Sequence, residues 1–153
     1  PPPKIKPLPS SLAFSGGINN GTAREFQRRL EAAPQVRVLH LNSGGGRISE
    51  ADVMAAEIRK RKLITYVSDE CHSACTILFL AGRERWLGEQ GKLGFHEPHF
   101  PGLRREHVRA IVYQEKRKLL SLGVEYDFAA KALSTAATSG CATPPTTPHP
   151  ASA

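Results

Sequence analysis

Val36-Arg37-Val38-Leu39-His40-Leu41, followed at once by Asn42-Ser43-Gly44-Gly45-Gly46, decides how this chain is built. The first six residues are rich in β-branched and apolar types and alternate, as a half-buried strand does. The strand runs directly into glycines, where a backbone can turn tightly and approach another group closely. Beyond the turn, Ser49 is a good N-cap for a helix to about Arg61, whose Ala51, Met54, Ala55 and Ile58 share one face. Leu63-Ile64-Thr65-Tyr66-Val67 is the next strand.

The same alternation extends in both directions. On the N-terminal side, Leu12–Ser15 reads as a short strand ended by Gly16-Gly17. Thr22 then caps a helix with Phe26, Leu30 and Ala33 on its apolar face, and Pro34 stops it. On the C-terminal side, a helix is expected over 73–82, short strands near 85–87 and 92–95, a long helix over 103–120, and a last short helix over 125–133. Strands alternating with helices imply an α/β fold, a mainly parallel sheet with flanking helices. In such sheets sites gather at the carboxyl ends of strands.

The 153 residues amount to one domain with a sizeable core. Residues 1–10 hold five prolines and read as an extended linker or arm. Residues 136–153 are rich in Ser, Thr, Pro and Ala without periodicity and read as a disordered tail, which leaves 11–135 as the folded domain. The chain opens on Pro1 without an initiator methionine, as a processed form or a fragment would. No apolar run reaches the length of a membrane span, and nothing in the sequence speaks for or against membrane association. The net charge is +7, with basic clusters at Arg59–Lys62 and along Arg104–Arg109. The first cluster ends a helix, where cations suit the macrodipole. Aromatic interleaving is sparse, so no nucleic-acid partner is expected.

Candidate chemistry lies in two stretches besides the glycine turn. Cys71-His72-Ser73-Ala74-Cys75 opens the apolar run Thr76–Gly82, and Gly94-Phe95-His96-Glu97-Pro98 ends a later strand. Read alone, Ser73 is a helix N-cap and His96 a polar strand-end residue. Together they make a nucleophile and a base, since serine attacks only when a base takes its proton. The N–H of Ala74 and that of Gly45 or Gly46 suit an oxyanion hole. The glycine turn is neither a phosphate loop, lacking Gly-Lys-Ser/Thr, nor a dinucleotide fingerprint. Cys71, Cys75, His96 and His99 are the rival zinc ligands, but their spacing fits poorly and neither a metal nor a cofactor is expected. Cys71 and Cys75, at i and i+4, could be joined or could stand as two buried thiols. A bridge would point to an oxidising compartment.

Leu41–Gly46, Ser73-Ala74 entering Leu78–Gly82, and Gly94–Pro98, in that order, resemble the Clp protease proteolytic subunit over about residues 12–135. The Cys-x-Ser-Ala-Cys-Thr segment is most similar to periplasmic or secreted Clp-like proteins of the same crotonase-like superfamily. The resemblance implies stacked ββα units and a serine peptidase acting on peptide or protein substrates. It implies Ser73 as nucleophile, His96 as general base, and Gly45 or Gly46 with Ala74 as the oxyanion hole. It further implies self-association into a homo-oligomer through helix 103–120, and a periplasmic or secreted location. Gly44 stands where the family usually has proline. The family's third triad member, an Asp, falls near Ala136, where Ser134-Thr135-Ala136-Ala137-Thr138 has no carboxylate. Asp127 is the nearest candidate, in a short helix where a solvated face is the plainer reading. Two alternatives therefore stand beside a working peptidase: a non-catalytic Clp-like binding or scaffold protein, and a crotonase-like enzyme acting on acyl thioesters.

Overall fold

The computed structural model describes residues 10–95, 102–121 and 150–152. In chain order the elements are β1 (Ser10–Ser15), α1 (Thr22–Ala32), β2 (Val36–Asn42), α2 (Ile48–Lys60), β3 (Ile64–Val67), β4 (Glu70–His72), α3 (Cys75–Leu80), β5 (Glu84–Leu87), β6 (Lys92–Gly94), α4 (Arg105–Ser121) and β7 (Pro150–Ser152). The main sheet has the order β1-β2-β3-β5-β7. Its first four strands are parallel, and β7 is antiparallel to β5. β4 and β6 form a separate parallel pair. The α/β class and the mainly parallel sheet with flanking helices are as the alternation predicts.

The helices form because their apolar residues recur at helical spacing. Ala23, Phe26 and Leu30 of α1 are buried, as are Ala51, Met54, Ala55 and Ile58 of α2. All six residues of α3 are buried, so it is a core helix rather than an amphipathic one. Thr65 on β3 is fully buried, and its hydroxyl donates to the Phe79 carbonyl at 2.7 Å. That bond satisfies a polar group in the core and ties β3 to the end of α3.

α4 is bound differently. Leu119 is its one buried residue among those described, and Lys118 donates to Asp52 on α2. Burial raises the Glu115 carboxyl above 4.5; nearby Lys118 opposes the rise and Asp52 adds to it. Tyr113 is 62% exposed, and Leu103 and Leu120 are exposed as well. None of the helices among the described residues is long and apolar enough to cross a membrane.

Several local expectations are corrected. Ser49 does not cap α2: Arg47 holds the N-cap position, and Ser49 sits inside the first turn. Thr22 is the first residue of α1 rather than its cap, and its hydroxyl accepts from the Asn19 N–H at 2.9 Å. Ser73 does not open α3 either; the helix starts at Cys75, after a turn that contains the serine. β4 was not expected. Three residues show no periodicity, and the strand exists because Glu70–His72 finds Lys92–Gly94 to pair with. Within the tail read as disordered, Pro150–Ser152 forms β7 at the sheet edge, where a proline is tolerated because an edge strand leaves one side unpaired. The short helix expected over 125–133, and the rest of that tail, lie outside the described residues, as does most of the arm.

Candidate active site

Ser73 lies in the turn between β4 and α3 with φ of 54°, one of two non-glycine residues described with positive φ. A serine in this region carries strain that its surroundings must hold. Its N–H donates to the Gly94 carbonyl at 2.7 Å. Its carbonyl accepts from the N–H of Thr76 at 3.0 Å and from the Thr76 hydroxyl at 2.6 Å. The backbone on both sides of the residue is thus pinned, while the Ser73 hydroxyl, half-exposed, meets no partner among the described residues. A helix-capping serine would have used that hydroxyl on the helix, and no side-chain cap is made here.

The glycine turn presses against this serine from the other side. Gly45 has φ of 95°, and a Cβ placed on it would stand 2.6 Å from the His72 carbonyl oxygen, 2.8 Å from the Ser73 Cβ and 2.9 Å from the Ala74 nitrogen. No larger residue fits without moving backbone. Gly46 has φ of 147°, and a Cβ there would stand 2.1 Å from the Ile18 carbonyl oxygen. The Ile18 N–H donates to Gly45 at 2.9 Å, and Arg47 donates to Ile18 at 2.8 Å. The turn is clamped between Ile18 and the Ser73 turn, and both glycines are required by close approach.

Ser43 registers the two halves. Its N–H donates to the Glu70 carbonyl at 3.0 Å, and its carbonyl accepts from His72 at 2.9 Å. Its buried hydroxyl accepts from the Gly45 N–H at 3.1 Å. Gly45 is therefore already engaged as a donor. The N–H groups of Gly46 and Ala74 donate to no group among the described residues. The role of Ser43 was missed in the sequence, although a serine two residues before a glycine is a common side-chain-to-backbone turn.

Cys71 and Cys75 are bridged, with Cα atoms 5.3 Å apart. The bridge spans Ser73 and closes the turn on itself, and it leaves neither sulfur as a thiolate for a metal. Among the described residues no group of three His, Cys, Asp or Glu side chains is placed to hold a metal ion. His72 turns its Nε2 to Glu70 at 3.4 Å, and its buried Nδ1 has no partner among the described residues.

His96, Glu97, Pro98 and His99 lie outside the described residues, as do Asp127, the Ser134–Thr138 stretch and Cys141. The approach of the His96 segment is described as far as Phe95. β6 runs parallel to β4 with Gly94 opposite His72, and the Gly94 carbonyl accepts from Ser73, so the described end of β6 lies beside the serine. The described residues do contain a serine–histidine contact that the sequence did not announce. Ser68 Oγ and His40 Nε2 lie 2.7 Å apart, with the His40 ring against Tyr66. Around Ser68, a Cβ on Gly88 would stand 3.4 Å from the Ser68 Cα and one on Gly91 would stand 2.6 Å from the preceding Val67 carbonyl oxygen, whereas one on Gly45 would stand 2.8 Å from the Ser73 Cβ itself. A cleft of about 490 Å³ between β1 and α1 touches neither Ser73 nor Gly44–Gly46.

No family model and no curated protein matches the sequence. Solved structures do match it. ClpP1 from Listeria monocytogenes has a TM-score of 0.68 at 17% identity, over 80% of this chain and 78% of that one. The 1510-N membrane-bound stomatin-specific protease, in complex with a substrate peptide, has a TM-score of 0.63 at 21% identity, over 88% of this chain and 68% of that one. At such identities the likeness is one of architecture, and on it this chain has a ClpP-like fold.

Proposed function

We propose that this chain is a Clp-like serine hydrolase that cleaves peptide bonds through an acyl-enzyme on Ser73. The observation that carries the reading is the contact between Gly45 and the Ser73-Ala74 turn, which brings a glycine turn against a strained serine whose hydroxyl has no partner among the described residues. Such closeness serves little purpose in a simple helix cap. It suits a site where backbone donors must stand beside a nucleophile.

In this reading His96 takes the proton from Ser73 Oγ as the oxygen attacks the scissile carbonyl carbon. The negative charge moves to the carbonyl oxygen, where the N–H groups of Gly46 and Ala74 receive it. Collapse breaks the C–N bond, and the amine leaves with the proton from His96. Water, deprotonated by the same imidazole, then frees the acid and restores Ser73. Each oxyanion donor is worth about 10²–10³ in rate. The Cys71–Cys75 bridge supports a home in an oxidising compartment, periplasmic or secreted. The exposed Leu103, Tyr113 and Leu120 on and before α4 support self-association through that helix.

A fluorophosphonate probe tests the reading. The wild-type protein should be labelled, and Ser73→Ala should abolish the label. A folded, full-length sample that takes no label overturns it. The non-catalytic Clp-like reading has one observation in its favour, the missing carboxylate in Ser134–Thr138. Removing the acid of a triad costs about 10⁴ in kcat. Labelling with peptide turnover favours the hydrolase, and a folded protein that binds peptide without labelling favours the scaffold.

A further inference from the structure

Parallel strands put all their amino ends at one pole, and in this chain that pole is cationic. The serine and glycine turns occupy the carboxyl ends of β2 and β4. At the opposite end, Arg37 enters β2, Arg61 and Lys62 precede β3, and Arg83 precedes β5. These three strands are neighbours in the sheet. Pro34, Val36, Arg37, Arg61, Lys62 and Arg83 line one cleft of about 380 Å³, with no acidic residue among them.

Two of the cations, Arg37 and Arg61, are anchored by hydrogen bonds, and Lys62 and Arg83 are exposed. Arg37 falls where the β1–β2 register slips, between the partners Val36 and Val38. A bulge of this kind re-aims a side chain. Its Nη1 donates to the carbonyls of Pro34 at 3.0 Å and Val36 at 3.1 Å, and its other N–H groups have no partner among the described residues. Arg61 donates through Nη1 to the Leu30 carbonyl at 3.0 Å and through Nε to Glu57 at 3.4 Å. The side chains of Lys62 and Arg83 form no ion pair among the described residues. Of the neighbouring carboxylates, Glu57 pairs with Arg61 and Gln27 and so offsets part of the Arg61 charge, and Glu84 is engaged with the Trp86 indole.

Lys62 adds a separate observation. α2 ends with Leu63 N–H bonded to the Ile58 carbonyl and Lys62 N–H to that of Arg59, the two bonds of a Schellman motif. The left-handed residue of that motif is usually glycine, but here it is lysine with φ of 53°. The helix end alone would be better served by glycine. A lysine standing there against its backbone preference fits a position whose side chain is used.

We propose that this cleft binds an oligophosphate. Adjacent strands lie about 4.8 Å apart, so the row from β2 to β5 spans roughly 10 Å. That length suits a short chain of phosphates better than a single anion, and the concave shape suits a small ligand better than a flat bilayer. Arginine forks provide paired donors to phosphate oxygens, and Lys62 a mobile point charge. The site is independent of Ser73 and stands whether or not the chain is a hydrolase.

Calorimetric titration with inorganic tripolyphosphate, at low and physiological salt, tests it. Binding should weaken steeply with salt, because Arg37, Lys62 and Arg83 are exposed. Arg83→Gln and Lys62→Gly should each raise Kd by about tenfold, as expected for loss of a charged contact. Lys62→Gly should at the same time raise the melting temperature, because it relieves the left-handed strain. Loss of binding in a stabilised variant cannot come from misfolding. No heat of binding at low salt overturns the proposal, as does binding that neither substitution changes. Pelleting with phosphatidylglycerol vesicles that tripolyphosphate does not displace would assign the patch to a membrane and overturn it too.

Discussion

The amino and carboxyl ends of the parallel strands are built from opposite materials. At the carboxyl pole, Ser43, Gly45, Gly46 and Ser73 pack backbone against backbone, and only hydrogen alpha atoms fit where side chains would otherwise be. At the amino pole, Arg37, Arg61, Lys62 and Arg83 surround an open cleft with long cationic side chains. Each pole also holds one of the two non-glycine residues described with positive φ, Ser73 at one and Lys62 at the other. Strain at the first is clamped by several backbone bonds; at the second it sits on an exposed helix end. The contrast separates what each pole can do: rigid backbone donors suit a reacting carbonyl, and mobile exposed charges suit a diffusing anion.

The largest effect that would break this contrast is at Gly45. Gly45→Ala puts a methyl group into the His72 carbonyl and the Ala74 nitrogen. The rate of probe labelling should fall about 10²-fold. The fold should lose about 1–3 kcal/mol in a denaturant titration. An unchanged labelling rate would mean that the glycine turn serves packing alone.

That contact also shows what was legible in the sequence. The run Val36–Leu41 followed by glycines announces a strand and a turn, and Ala51, Met54, Ala55 and Ile58 announce a helix, because period and composition are local properties. The α/β sheet follows from them. Ser73 and Gly45 were legible as candidates, but their mutual contact was not, since 28 positions separate them and pairing through Ser43 and β4 brings them together. β4 itself is too short to show a period. The left-handed backbone of Ser73 had no sign in the sequence, because serine is an ordinary helix-capping residue and the constraint comes from Gly94 and Thr76. The slip that aims Arg37 depends on how β2 meets β1 and is likewise invisible in either strand alone.

The bridge sharpens the carboxyl pole at intermediate size. Closing so short a loop stabilises a fold by about 2 kcal/mol on a chain-entropy account. Cys71→Ala with Cys75→Ala should therefore lower stability by about that amount. It should also slow labelling, because the turn around Ser73 is then held only by hydrogen bonds. Stability lost with labelling unchanged would make the bridge purely structural.

A smaller effect belongs to α4, which is tied to α2 through Lys118 and Asp52. Burial raises the folded-state carboxyl of Glu115 above 4.5, so the folded chain holds that proton more tightly than the unfolded chain does. Stability from this group is complete below 4.5 and declines as pH rises through the folded value. Glu115→Gln should flatten that decline in melting temperature across mildly acidic pH, without altering labelling or tripolyphosphate binding. A slope that persists in the variant would place its origin in another group.

The central claim is that Ser73 is a nucleophile because the fold strains it against a glycine turn. Peptide mapping of the fluorophosphonate adduct by tandem mass spectrometry tests this most directly, because the chain offers a second serine beside a histidine, Ser68 at 2.7 Å from His40. The account predicts a single adduct on Ser73 that Gly45→Ala suppresses. An adduct on Ser68, or none on a folded protein, would contradict it.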